Sequence, residues 1–147
     1  QKRFIKDKFK FAFGQQSGVI DVNKDKFELP RFPINEKYGD LDRFKFLVDL
    51  KPLEYNSLSL KDMYILRENN PPELIISFFK NQNNLQNISC FSNEGGKWNN
   101  SNILFKNNKL KITFLEKFEE RRGRVNCSLK DENSWRWLGF QFSIENS

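Results

Sequence analysis

Histidine is absent from this 147-residue chain, and that absence removes more chemistry than any other single feature. Without it there is no imidazole base, no Ser-His-Asp triad and no His-ligated zinc among these residues. Cysteine is scarce as well. Cys90 and Cys127 are too few and too far apart for a four-cysteine zinc site, and are either paired with one another or ordinary buried thiols. No apolar run approaches the roughly 18–20 residues a helix needs to span a bilayer, so no transmembrane segment is expected. The stretch from Gln1 to Lys10 is charged and has no apolar core, which excludes a signal peptide there. The sequence opens without an initiator Met, as expected of a processed chain or a fragment.

Aromatic surface is what the chain has in quantity. Sixteen Phe, three Trp and three Tyr can fill a core, since each buried ring removes about 150–250 Å² from water. With 37 % apolar residues, a folded domain or two small units is expected. The net charge of +6 is spread along the chain instead of being gathered on one segment, so no nucleic-acid partner is expected.

Lys8 to Phe13 alternates, with Phe9, Phe11 and Phe13 on one side, and is read as a strand. A polar loop with Gly14 and Gly18 follows. Residues 27–34 (FELPRFPI) have strand character, but Pro30 and Pro33 each remove a ladder donor and confine the segment to an edge or a strand end. Asp40 is placed to cap a helix whose stripe is Leu41, Phe44, Leu47 and Val48, with Pro52 beyond its end. Residues 51–72, closing on Asn69-Asn70-Pro71-Pro72, are expected to be a linker. Beyond them, short apolar segments recur about every ten residues: 73–79, 85–91, 102–105, 109–115, 124–129 and 135–144. Polar turns such as Asn107-Asn108 separate them. The fold class is therefore mixed: a strand–strand–helix run over 1–50, then a small antiparallel β-sandwich over 73–147.

Candidate site residues are few. Asp21, Asp25 and Glu28 bracket a loop, but their spacing is not that of an EF-hand, and a solvated loop is expected. Trp98, in the polar turn EGGKWNN, is the candidate for an exposed ring that stacks on a sugar. Trp135 and Trp137 are expected to pack the sandwich or an interface. Cys90 and Cys127 each sit mid-strand, 37 residues apart. That pattern is expected to bring them within bridging distance on facing strands of the sandwich, as in immunoglobulin-like domains. A bridge would favour an oxidising, extracytoplasmic compartment; nothing else in the sequence indicates a location.

Two stretches go further. Residues 9–34 contain Phe11-Ala12-Phe13-Gly14, Gly18, Asp25, Phe27 and Leu29-Pro30-Arg31. This run resembles the end of the polysaccharide deacetylase (NodB-homology) domain, a distorted (β/α) barrel. Residues 123–142 contain GRVNCSL and SWRWLGFQF, and resemble the tail of an accessory β-domain that follows the barrel in some of these enzymes. LQNISCFSNEG (85–95) resembles that domain's other cysteine strand.

The resemblance implies that residues 1–50 are the C-terminal end of a NodB-type barrel and 73–147 its accessory β-sandwich. It implies a parent hydrolase that removes acetyl groups from acetylated polysaccharides or oligosaccharides. In that family a divalent metal, usually zinc, held by an Asp and two His polarises the carbonyl and activates water. The Asp-Asp motif and the histidines do not occur in this chain. No catalytic or metal-binding residue is therefore assigned, no cofactor is expected in this chain, and the chain alone is expected to be inactive without the barrel of the same polypeptide. Arg31, at a strand end where barrel enzymes build their sites, joins Trp98 as a substrate-binding candidate. The alternative is a non-enzymatic carbohydrate-binding or assembly module.

Overall fold

In the segment KLKIT, Leu110 and Ile112 point one way and Lys109, Lys111 and Thr113 the other, the period of two that buries one face of a strand. The same alternation recurs along the second half of the chain and builds two sheets. The computed structural model describes residues 2–22 and 24–145. Its helices are α1 (Lys2–Lys8) and α2 (Leu41–Val48). Its strands are β1 (Lys51–Pro52), β2 (Ser57–Leu58), β3 (Tyr64–Ile65), β4 (Leu74–Ser77), β5 (Ser89–Ser92), β6 (Asn99–Asn100), β7 (Asn102–Lys106), β8 (Lys109–Thr113), β9 (Arg122–Asp131) and β10 (Ser134–Ile144).

The larger sheet runs β1-β10-β9-β5-β6, with β3 also paired to β10, and the smaller runs β2-β4-β8-β7. Both are mainly antiparallel; β1 and β3 join β10 in parallel. One core lies between the two sheets. Leu74, Ile76, Leu110 and Ile112 come from the smaller sheet, and Val125, Leu138, Phe140 and Phe142 from the larger. Phe142 is wedged against Phe114 and Phe118, with ring centroids 6.3 and 5.7 Å away. Each such side chain, fully buried, contributes about 1.5–3 kcal/mol relative to exposure. The fold is mostly β, as expected for the second half. Asn107 and Asn108 make the β7–β8 turn with φ of 52° and 57°, the left-handed pair a two-residue hairpin needs.

The first half departs from expectation. Where a strand was predicted over 8–13, α1 ends at Lys8 and the chain continues irregularly, bending at Lys10, to a single bridge, Phe13 to Leu29, in parallel. No strand among the described residues extends this pairing. Phe9, Phe11 and Phe13 are 61 %, 57 % and 52 % exposed, so the period of two is present without a sheet to bury it. Helix α2 forms where expected, and the Asp40 side chain accepts from the Arg43 N–H at 2.8 Å. None of its residues is buried.

The segment 51–72, predicted as a linker, is woven into both sheets through β1, β2 and β3. At its end Asn70 is buried, its Nδ2 donating to the Phe118 carbonyl at 2.9 Å and its Oδ1 accepting from the Phe118 N–H at 3.1 Å. Two-residue strands are too short for alternation to register, and proline and asparagine signals dominate such a stretch. Residues 85–87 form a 3-10 turn instead of opening the fifth strand, because Asn84 enters with φ 61°.

Cys90 and Cys127 are joined by a disulfide, but not across the sandwich. They are register partners on adjacent strands, β5 and β9, of one sheet. The Cys90 carbonyl accepts from the Ser101 N–H on the opposite side. That leaves the pair facing Cys127 without a ladder bond, the position where Cα atoms approach most closely, here 4.1 Å.

Candidate functional site

The outer face of the larger sheet is built by the residues that alternate with its core set. On β10 these are Trp135, Trp137, Gly139 and Gln141; on β9 they include Arg124, Asn126 and Ser128. The N-terminal segment lies across this face at backbone distance. A Cβ on Gly139 would run into the Ser17 carbonyl and stand 2.9 Å from Asn126 Oδ1. Gly18 is buried, and a Cβ there would meet Pro30 Cβ at 3.1 Å. Two ring pairs fasten the segment on either side: Phe32 with Trp137 at 5.8 Å, and Phe46 of α2 with Trp135 at 6.3 Å. Trp135 and Trp137 thus serve an interface, one of the two uses expected of them.

A cleft of about 470 Å³ opens between the segment and the sheet. Trp137, Asn126 and Arg124 of the sheet, Trp98 from the loop before β6, and Arg31, Phe32, Tyr38, Arg43 and Phe46 from the N-terminal half are among its lining residues. Arg31 and Trp98, singled out separately in the sequence, line this same cleft. The Arg31 backbone N–H donates to the Gln16 carbonyl at 3.0 Å and its Nε to the Gly14 carbonyl at 3.2 Å. Arg43 Nε donates to the Tyr38 carbonyl at 3.1 Å, and its guanidinium stands 5.3 Å over the Tyr38 ring. The Arg124 backbone N–H donates to Asn93 Oδ1 at 2.6 Å. Trp137 Nε1 is buried and has no hydrogen-bond partner among the described residues.

Tyr38, Arg43, Arg124 and Asn126 were not foreseen. Arg124 and Asn126 carried a usable signal, since they are the outward positions of the alternating run RVNCSL. Tyr38 and Arg43 carried none, because their place depends on how the N-terminal half folds back.

On the other side of the Gly139 contact, a second cleft of about 300 Å³ is lined by Asp21, Lys24, Asp25, Glu28, Tyr55 and Gln141, among others. Burial lowers the Lys24 pKa, with Asp21 opposing. Burial raises that of Tyr55, and the charges of Asp21 and Glu28 add to the effect. The three carboxylates of the 21–28 loop do meet at one cleft. Among the described residues, however, no three His, Cys, Asp or Glu side chains are grouped so as to hold a metal ion.

No helix among the described residues is long and apolar enough to cross a membrane. No protein-family model, curated protein or solved structure matches the chain.

Proposed function

We propose that this chain is the saccharide-holding C-terminal part of a polysaccharide deacetylase whose chemistry belongs to a preceding barrel of the same polypeptide. The observation that carries this proposal is the seat of Ser17 and Gly18 on Gly139. The two stretches resembling the deacetylase and its accessory domain are far apart in sequence, yet they pack against one another and leave a cleft between them. In this reading residues 1–50 are the barrel's closing elements and the two sheets form its accessory domain. The parallel Phe13–Leu29 bridge supports this, since neighbouring barrel strands pair in parallel. So do the exposed Phe9, Phe11 and Phe13 and the exposed Leu41, Phe44 and Val48 of α2, apolar surface of the kind a partner covers. The partner assigned to it is the rest of the barrel.

The residues present do not fit the family's metal. There is no His in the chain and no grouped set of three ligands among the described residues, so no catalytic step is assigned to these side chains. What they can do is hold a sugar. Trp98 and Tyr38 offer ring faces for the C–H face of a pyranose, while Asn126 and the arginines offer donors to hydroxyl, carbonyl and acetyl oxygens. The Cys90–Cys127 bridge supports an oxidising compartment. The second reading, a carbohydrate-binding module without an enzyme, is favoured by one observation: the core between the sheets draws all its buried residues from 53–144.

Acetate release from an acetylated chito-oligosaccharide tests the proposal. The chain alone should release none, with or without zinc, while binding the oligosaccharide. Its upstream-extended form should release acetate when loaded with metal. Release by the chain alone above a metal-only control would contradict it; an inactive extended form that still binds the sugar would favour the module.

A further inference from the structure

We infer that the 470 Å³ cleft is an oxyanion subsite, and that the saccharide it takes carries acidic groups, carboxylate or sulfate. This inference rests on the saccharide reading and narrows its substrate class. Three arginines, Arg31, Arg43 and Arg124, line one cleft, and none of the described residues lining it is acidic. They come from three separate parts of the fold: the loop after Leu29, helix α2 and strand β9. Their convergence is therefore a tertiary arrangement and not a run of basic sequence. Like charges gathered without a counter-charge repel one another, and a bound oxyanion offsets that repulsion.

The described hydrogen bonds engage the guanidinium groups of Arg31 and Arg43 only through Nε, and each of those goes to a backbone carbonyl. No described side-chain bond or ion pair engages Arg124. Guanidinium edges held in place by such bonds are suited to a planar carboxylate or a sulfate. Trp137, whose indole N–H is buried and has no partner among the described residues, lines the same cleft. The neighbouring cleft makes the contrast: it is lined by Asp21, Asp25 and Glu28, so an acidic ligand is directed to one side of the Gly139 contact only.

Titration calorimetry on the whole chain tests this with four probes: a uronic acid trisaccharide, a neutral N-acetylglucosamine trisaccharide, inorganic sulfate and a short single-stranded oligonucleotide. The uronate should bind roughly tenfold or more tightly than the neutral sugar at low salt, with the gap narrowing at about 0.3 M salt as the charges are screened. Arg124→Gln should weaken the uronate about fivefold or more and the neutral sugar by a clearly smaller factor, so that the preference for the uronate shrinks. If that variant does not fold, Arg43→Gln on α2 carries the same expectation. Sulfate that competes with the uronate supports the oxyanion as the shared chemistry. Neutral sugar bound as well as the uronate overturns the inference and leaves the saccharide reading standing. Uronate binding unchanged by both substitutions overturns it by placing the site elsewhere. An oligonucleotide bound with no sugar overturns both.

Discussion

The carbonyl of Ser17 occupies the space into which a side chain at Gly139 would have to grow. A loop near the N-terminus and the middle of the longest strand are thereby held at backbone contact, and both clefts exist because of that contact. Gly139→Ala should overpack the junction at a cost of about 1–3 kcal/mol, while β9 and β10 stay paired. The expected outcome is faster proteolytic cleavage within residues 14–40, with the sheet residues protected. Unchanged protection throughout would show that the segment is not held there.

Cys90 and Cys127 close a loop of 37 residues. By the chain-entropy estimate the bridge contributes about 4 kcal/mol by restricting the unfolded chain. The Cys90→Ser, Cys127→Ser double variant should therefore melt well below the oxidised protein and become indifferent to dithiothreitol. Equal melting temperatures would mean the bridge is not formed in solution.

Glu94 is a buried carboxylate that is fully employed. It accepts from Ser92 Oγ at 3.0 Å and from the Leu115 and Glu116 N–H groups at 2.6 and 2.9 Å. Glu94→Ala leaves those donors without their acceptor and should cost about 2–3 kcal/mol. Glu73, in an exposed pair with Lys111 at 2.7 Å, makes the comparison, and Glu73→Ala should cost under about 1 kcal/mol. Urea denaturation of the two variants checks the ranking.

Tyr55 holds its proton above the ordinary phenol range, chiefly through burial and then through the charges of Asp21 and Glu28. A folded-state pKa raised above the unfolded value stabilises the fold fully below the unfolded value, and that contribution is lost as pH rises through the folded pKa. Stability should fall at alkaline pH, and Tyr55→Phe should reduce that alkaline loss. The same loss in the variant would assign it to other groups.

Much of the second half was legible in the sequence because its strands are long enough to alternate. Leu110 and Ile112, and Val125 and Cys127, announce an inner face by their spacing alone. The disulfide partners were legible, but their placement was not. Alternation says that Cys90 and Cys127 face inward, which is equally true of two strands facing each other and of two strands side by side. Residues 51–72 were misread because a two-residue strand has no period. Arg31 and Trp98 could be picked singly by residue type and loop context. Their meeting with Arg43 and Arg124 depends on the Gly139 contact, which no local pattern encodes.

The most direct test of a saccharide cleft between the N-terminal segment and the sheet follows the three indole N–H signals by NMR as an acetylated oligosaccharide or a uronic acid trisaccharide is added. Trp98 and Trp137 line the cleft and Trp135 does not. The Trp98 and Trp137 signals should shift together with one binding curve, the Trp135 signal should move least, and Trp98→Ala should weaken binding by roughly tenfold, as for loss of a stacked ring. Movement of Trp135 alone, or of no indole while the sugar binds, would contradict the assignment.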